Sequence, residues 1–244
     1  MSLTKESISI TVPAFNEEET IEAVVREALE VLSGITTDYE VLVVDDGSND
    51  ATPEIADRLA LEERAVRVIH HRENTGFTGA IKSCFENARC DLIFLAPADR
   101  QVNLSELSKF VDLIGDCDIV AGYFIKRADP FYRSFYSWGF HLLCHLLFGI
   151  KQRQISTLSL WRRSVSEKIN IESRPPGTMV VTELFSKATR MGCTIKEVGI
   201  VHYPRTTGEP KGESLSVIVR TFLGMLHLWW RLNVASKLRH RSYE

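Results

Sequence analysis

Short β-branched runs alternate along the chain with longer stretches in which apolar residues return every third or fourth position. Ile8 to Val12 is a run of the first kind, stopped by Pro13, and Asn16 followed by Glu19 forms a helix-start signature. Ile21, Val24, Val25, Ala28, Leu29 and Leu32 then keep helical spacing, which predicts a helix with one apolar stripe, ended by Gly34. Tyr39 to Val44 has the near-continuous apolar pattern of a strand buried on both faces, and it stops at Asp45-Asp46-Gly47-Ser48. Thr52-Pro53 predicts the cap of a second helix. Val66 to Ile69 reads as a third strand, Asn74 to Gly79 as a loop opening a third helix, and Leu92 to Leu95 as a fourth strand.

This alternation predicts an α/β fold whose central, mostly parallel sheet is flanked by helices and joined by right-handed crossovers. Open parallel sheets bind ligands outside the carboxyl ends of their strands. That rule selects Pro13 to Glu18, Asp45 to Asp50 and Ala96 to Gln101, all rich in carboxylates and turn formers. Beyond a further strand at Asp118 to Gly122 the alternation fades into an aromatic, partly basic stretch from Phe131 to Ile150. A helix from about Thr178 to Met191 leads to a strand from Thr194 to Tyr203, and a long amphipathic helix begins near Ser214. The expected organisation is a catalytic domain over 1–213, with 214–244 as a basic amphipathic helix that belongs to the same domain or docks on a membrane.

Composition narrows the classes. A formal net charge of −3 over 244 residues gives no global reason to expect nucleic acid. From Arg220 onward, however, Arg220, Arg231, Lys237, Arg239 and Arg241 stand against Glu244 alone, and Trp229 and Trp230 lie among them. Such an end suits a membrane surface. Cys84, Cys90, Cys117, Cys144 and Cys193 are scattered without a C-x-x-C, which predicts reduced, mostly buried thiols. No uncharged apolar stretch reaches the ~20 residues of a membrane span. The expected location is cytoplasmic, peripheral on the inner face of the cell membrane.

Asp45, Asp46 and Asp99 fall at one sheet edge, where like charges repel unless a cation or hydrogen-bond donors compensate them. Oxygen ligands of this kind suit Mg²⁺ or Mn²⁺ bridging to phosphates. The plainer alternative for Asp45 to Ser48 is a turn that caps the next helix. Asn74 to Gly79 matches neither the dinucleotide fingerprint nor the P-loop. His141 and His145 have metal-ligand spacing, but Leu142 stands where a zinc hydrolase would carry its base, so an amphipathic face is the favoured reading. His202-Tyr203-Pro204-Arg205 ends a strand with a guanidinium suited to phosphate.

Taken together, these loops resemble the family-2 glycosyltransferases of the GT-A fold, in their dolichyl-phosphate mannosyltransferase and polyprenyl-phosphate glycosyltransferase branch. The resemblance rests on Val12-Pro13-Ala14-Phe15-Asn16-Glu17-Glu18, Val43 to Asp50, Asn74-Thr75-Gly76, Ala98-Asp99-Arg100-Gln101, and His202 to Arg205 with Gly208. It implies a hexosyltransferase with a GDP- or UDP-linked nucleotide-sugar donor and a polyprenyl-phosphate acceptor at a membrane surface. Pro13, Phe15 and Glu17 would line the nucleoside pocket with Asp45, Asp46 and Gly76, Glu17 lying near the ribose and Asp46 near the base. Asp99, with Gln101, would hold Mg²⁺ or Mn²⁺, and Arg133 and Arg205 would face the donor and acceptor phosphates. The implied reaction is a direct inverting displacement.

Three positions depart from that pattern: Pro97 stands in place of a first Asp, Arg153 and Ser159 stand where an Asp and an Arg are usual, and Lys211 is displaced. Three rivals remain. One is a transferase acting on a sugar hydroxyl with Glu183 as general base, another a nucleotidyltransferase, and the third a silent nucleotide-sugar-binding protein. Sugar, base and oligomeric state depend on pocket shape and are not legible in the sequence.

Overall fold

The computed structural model describes residues 3–126, 131–173, 179–201, 203 and 215–235, with backbone alone at 126, 131–138, 215–220 and 235. Strands β1 (Ile8–Ala14), β2 (Tyr39–Asp45), β3 (Val66–His70) and β4 (Leu92–Leu95) form where the apolar runs fall. Helices α1 (Ile21–Ser33), α2 (Thr52–Glu62), α3 (Gly76–Asn87) and α4 (Leu107–Ile114) follow them in turn. The second half adds β5 (Ile119–Lys126), α5 (Phe131–Phe148), β6 (Ser159–Arg162), the short α6 (Arg163–Ser166), α7 (Val180–Arg190), β7 (Ile195–Val201) and α8 (Leu215–Trp230). A π-helical turn, Arg231–Ala235, continues α8.

The sheet has the order β3-β2-β1-β4-β6-β5-β7. β1, β2, β3 and β4 are parallel, as the alternation predicts. β6, which the sequence reading passes over, is antiparallel to both β4 and β5, while β7 runs parallel to β5. Four residues with a buried Trp161 are too short to show a period, and their pairing is set by neighbours distant in sequence.

Each strand gives one set of side chains to each face. Val41, Val43, Phe94 and Leu160 meet the stripe of α1 together with α2 and α4. Leu42, Val44, Ile93, Leu95 and Trp161 meet α3, α5, α7 and α8. The α1 stripe is buried as predicted, apart from a half-buried Leu29. Trp161 is closed in by Phe85 and Phe185 at centroid distances of 5.5 and 5.2 Å, and its Nε1 donates to the Ser159 hydroxyl at 2.7 Å. Ser159 is therefore a core anchor in this chain.

Two predicted helix starts are corrected. α1 begins at Ile21 after Thr20, because Asn16 takes a left-handed backbone (φ 55°) and spends its side chain on another loop. Thr52 is the first residue of α2 rather than its cap; its hydroxyl accepts from the Glu17 N–H at 2.8 Å. The thiols of Cys84, Cys90, Cys117, Cys144 and Cys193 are all free, the first four buried. Burial pushes Cys84 and Cys144 up to about 12, which leaves them inert.

Candidate active site

β1 and β2 are paired to their last residues, Ala14 opposite Asp45, and the Asp46 N–H adds one more bond to the Ala14 carbonyl at 2.9 Å. β4 ends opposite Thr11, so Pro97 to Asp99 leaves the sheet beside Pro13 to Phe15. Chain order reverses at β1, with β2 on one side and β4 on the other. Such switch points are where open α/β sheets bind ligands.

A cleft of about 420 Å³ opens there. Pro13, Phe15 and Glu17 form one wall, Asp46 the floor, and Asn74, Gly76 and Phe77 from the start of α3 the other wall. The loops after β1 and β2 are stitched together by five hydrogen bonds. Asn16 N–H donates to Ser48 Oγ, Asn49 N–H to Asn16 Oδ1, Glu17 N–H to Thr52 Oγ1, Glu18 N–H to Asp50 Oδ2, and Ala51 N–H to Glu18 Oε2, all between 2.8 and 3.2 Å. At Gly47 (φ 69°) an added Cβ would lie 2.7 Å from the Glu73 carbonyl carbon, so only glycine lets this turn press against the base of α3.

The paired aspartates do different work. Asp45 shares the α1/α2 face of β2, where its Oδ1 accepts from the Ser48 N–H at 3.0 Å and its Oδ2 from His70 Nδ1 at 2.8 Å. His70 Nε2 reaches Asp57 of α2 at 3.0 Å. Asp45 is thus hydrogen-bonded inside the protein and is not among the residues that line the cleft. Asp46 emerges on the opposite face and meets His71 Nδ1 at 2.6 Å, the Thr75 N–H at 2.9 Å and the Thr75 hydroxyl at 2.5 Å. Ser83 of α3 stands behind His71, 2.7 Å from Nε2. Protein donors surround both of these charges. The Asn74 to Gly79 motif acts through Thr75; a Cβ at Gly79 would fall 2.1 Å from Thr75 Oγ1, so Gly79 leaves room for that side chain.

His70, His71 and Ser83 escape the sequence reading, although the end of β3 lies on the same edge as the three selected loops. The usable signal is His70-His71 directly after an apolar run. Burial works against the charged form of His70, but the Asp45 and Asp57 carboxylates outweigh it and hold the imidazole above its ordinary value.

Asp99 is half-buried, and its Oδ1 accepts from the Gln101 N–H at 3.2 Å. The neighbouring Arg100 has a left-handed backbone, φ 56°. The Gln101 carbonyl accepts from the Tyr203 N–H at 2.9 Å, which joins the segment after β7 to this loop. Among the described residues no three His, Cys, Asp or Glu side chains gather as a cage. One carboxylate with a neighbouring carboxamide still fits Mg²⁺ or Mn²⁺, whose remaining ligands are commonly water and substrate phosphate. Arg205 and the side chain of Arg133 lie outside the described residues.

Glu183 is fully buried and fully engaged. It accepts from Lys187 Nζ at 2.6 Å, from the N–H groups of Glu172 and Ser173 at 2.9 and 2.8 Å, and from the Ser173 hydroxyl. Burial raises its carboxyl and these donors, outweighing it, hold it below the ordinary range. A group so engaged is ill suited to take a proton from an acceptor hydroxyl. His145 Nδ1 donates to the Ile150 carbonyl at 3.1 Å.

The family model described as Glycosyl transferase family 2 matches residues 9–172, and the chain belongs to that family. Among individual proteins it is 32% identical to glycosyltransferase AglD of Haloferax volcanii over 96% of this chain and 39% of that protein. It is 25% identical to a dodecaprenyl-phosphate galacturonate synthase of Rhizobium johnstonii, over 96% of this chain and 69% of the relative. With an undecaprenyl-phosphate 4-deoxy-4-formamido-L-arabinose transferase of Pectobacterium atrosepticum it shares 24%, covering 87% and 64%. The chain thus spans about two fifths of AglD and just under two thirds of the Pectobacterium protein. The glucosyl-3-phosphoglycerate synthase of Mycobacterium tuberculosis has the same fold, with a TM-score of 0.71 at 20% identity over 92% of this chain and 80% of that one.

Two outcomes test these assignments. Glu183→Ala leaves Lys187 and two backbone N–H groups without their acceptor, and urea denaturation is expected to show a loss of about 3–5 kcal/mol. His70 stabilises the fold most when protonated, so its contribution is full below about pH 6.5 and is lost as pH rises through its higher folded-state value. The gap in Tm between wild type and His70→Asn should accordingly narrow from mildly acid to alkaline pH.

Proposed function

We propose that this chain transfers a sugar from a nucleotide-sugar to the phosphate of a polyprenyl lipid, with inversion at the anomeric carbon and with bound Mg²⁺ or Mn²⁺. The observation that carries the reading is the cleft at the carboxyl ends of β1 and β2, walled by Pro13, Phe15 and Glu17 and floored by Asp46, with the Asp99 loop leaving the sheet beside it. In this reading the nucleoside lies in the cleft, with Glu17 toward the ribose and Asp46 toward the base. Asp99 and Gln101 would hold the ion, which would supply positive charge toward the departing diphosphate. The lipid acceptor is supported by two relatives whose names pair a sugar with dodecaprenyl or undecaprenyl phosphate. A mycobacterial structure of the same fold contains UDP and Mn²⁺.

The chemistry needs little from the protein beyond position. A phosphate oxygen of the acceptor forms its bond to the anomeric carbon as the bond to the nucleoside diphosphate breaks on the opposite side. A phosphate is already ionised near neutral pH, so no side chain has to remove a proton. Arg205 and Arg133 are assigned to the acceptor and donor phosphates, where a guanidinium fork fits two oxygens. The stitched loops after β1 and β2 fix the donor's nucleoside before the acceptor arrives.

The acceptor's source is a membrane, and α8 is the proposed contact. No helix among the described residues is long and apolar enough to cross a bilayer. Met225 and Leu228 pack inward, whereas Phe222, Leu223, Leu226, Trp229 and Trp230 are exposed on the same helix. Tryptophans and a basic tail suit the headgroup boundary.

Asp99→Asn should abolish turnover while far-UV circular dichroism and Tm stay near those of wild type; near-native activity in that variant would refute the metal assignment. The full chain should co-sediment with anionic liposomes at low salt, and replacing Trp229 and Trp230 by Ala should lower the bound fraction severalfold. Recovery of the full chain in the supernatant under those conditions would remove the membrane role.

A further inference from the structure

The carboxyl end of β5 carries a cation with no acidic partner. The Arg153 guanidinium lies over the half-buried Tyr123 ring, 5.0 Å from its centroid, and among the described residues no carboxylate pairs with it. The segment that presents it is pinned to the sheet. Arg153 N–H donates to Glu197 Oε1 at 2.7 Å, Phe124 N–H to Gln154 Oε1 at 2.9 Å, and the Ser156 hydroxyl to the Gly122 carbonyl at 2.8 Å. A guanidinium stacked on an aromatic face keeps its in-plane N–H edge free for an anion. Arg153 is exposed, so a ligand can reach it.

An apolar strip continues from this cation. The pairing of β5 with β7 skips Ile125, an irregularity of the kind that re-aims a side chain beside functional sites. Ile125 is 59% exposed, and Val201 and Tyr203, at and beyond the end of β7, are exposed as well. A Cβ at Gly199 would fall 2.7 Å from Ile125 Cγ1 and 3.1 Å from the Tyr123 hydroxyl, so Gly199 gives both side chains their room. The Tyr203 N–H donates to the Gln101 carbonyl at 2.9 Å, which leads the strip back to the loop of Asp99. Sheet order puts the cleft at β2 and β1, Asp99 after β4, and Tyr123 on β5, two strand spacings or roughly 10 Å beyond β4. A direct displacement needs nucleoside, diphosphate and acceptor in that same order.

We propose that Arg153, seated on Tyr123, binds the phosphate of the acceptor, and that Ile125, Val201 and Tyr203 bind the first isoprene units of its lipid chain. The proposal rests on the reading of the acceptor as a polyprenyl phosphate. An anionic head joined to a hydrocarbon tail is the ligand that a guanidinium beside an exposed apolar strip complements. A phosphate offers several oxygens, so Arg205 keeps its assignment to the same group. Glu197 does not compete for the guanidinium, because its carboxylate takes the main-chain N–H of Arg153 instead.

Calorimetric titration of the full chain with geranyl phosphate, inorganic phosphate and geraniol, and separately with UDP and Mn²⁺, tests the assignment. Geranyl phosphate is expected to bind at least about tenfold more tightly than inorganic phosphate or geraniol, because it alone engages both parts. Arg153→Ala should weaken geranyl phosphate at least about tenfold, the worth of a charge-assisted hydrogen bond, and Arg153→Lys, which keeps the charge but loses the stacked fork, should weaken it less. Ile125→Ser should bring geranyl phosphate down toward inorganic phosphate and leave inorganic phosphate itself unchanged. Equal binding of geranyl phosphate to wild type and Arg153→Ala overturns the proposal and leaves the polyprenyl-phosphate reading standing. Equal binding of geranyl and inorganic phosphate to wild type also overturns it and marks a site for free phosphate. A parallel loss of UDP affinity in Arg153→Ala places Arg153 on the donor diphosphate or in the fold, which overturns it too. Should Arg153→Ala fail to fold, the Arg153→Lys and Ile125→Ser affinities decide. If geranyl phosphate does not bind wild type, the polyprenyl-phosphate reading fails and this inference falls with it.

Discussion

The register of β1 against β2, Ile8 opposite Tyr39 through to Ala14 opposite Asp45, is the constraint from which the functional edge follows. Side chains alternate across a strand, so the place where pairing stops decides which of two adjacent aspartates faces which layer. Asp45 faces α2 and is neutralised there by His70, with Ser48 closing the turn. Asp46 faces α3 and becomes the floor of the cleft. A slip of one residue would exchange the faces on which the two carboxylates emerge.

Strain at this edge is local and compensated. Asn16 and Arg100 both hold left-handed backbones, which cost roughly 1–2 kcal/mol each for residues with a Cβ. At Asn16 the cost is offset by two bonds to the β2 loop, from its own N–H to Ser48 and from Asn49 N–H to its side chain. The result is a pair of loops that do not have to order themselves around a ligand. A binding site that is fixed beforehand loses less conformational entropy on binding.

Glu183 organises the far side of the molecule in a similar way. It fixes the backbone at Glu172 and Ser173, and Arg231 then grips the Glu172 carbonyl at 2.7 Å and its carboxylate at 2.6 Å. Arg190 adds bonds to Leu232 and Asn233. The end of α8 is thereby tied to α7 and the segment before it, so the exposed tryptophans are held at a set position on the body rather than on a loose tail. Buried charge here serves placement; an isolated carboxylate in that core would be strongly destabilising.

Much of this was readable from residues alone. The apolar runs and the stripe of α1 depend on neighbours a few positions apart, and β1 to β4 with their parallel pairing were legible for that reason. So were the three loops at the sheet edge, because strand ends and turn-forming carboxylates are local signals, and the motifs Val12 to Glu18 and Val43 to Asp50 sufficed to indicate the family. Sequence could not show that Asp45 is spent internally while Asp46 faces the cleft, since that depends on strand parity and on His70 and His71, 25 residues away in each pairing. Nor could it show β6, whose pairing joins Leu95 to Ser159 across the chain, or that Glu183 is consumed by Lys187 and two distant backbone N–H groups. Those outcomes are set by contacts between segments far apart in the chain, and only the folded packing decides which donor reaches which carboxylate.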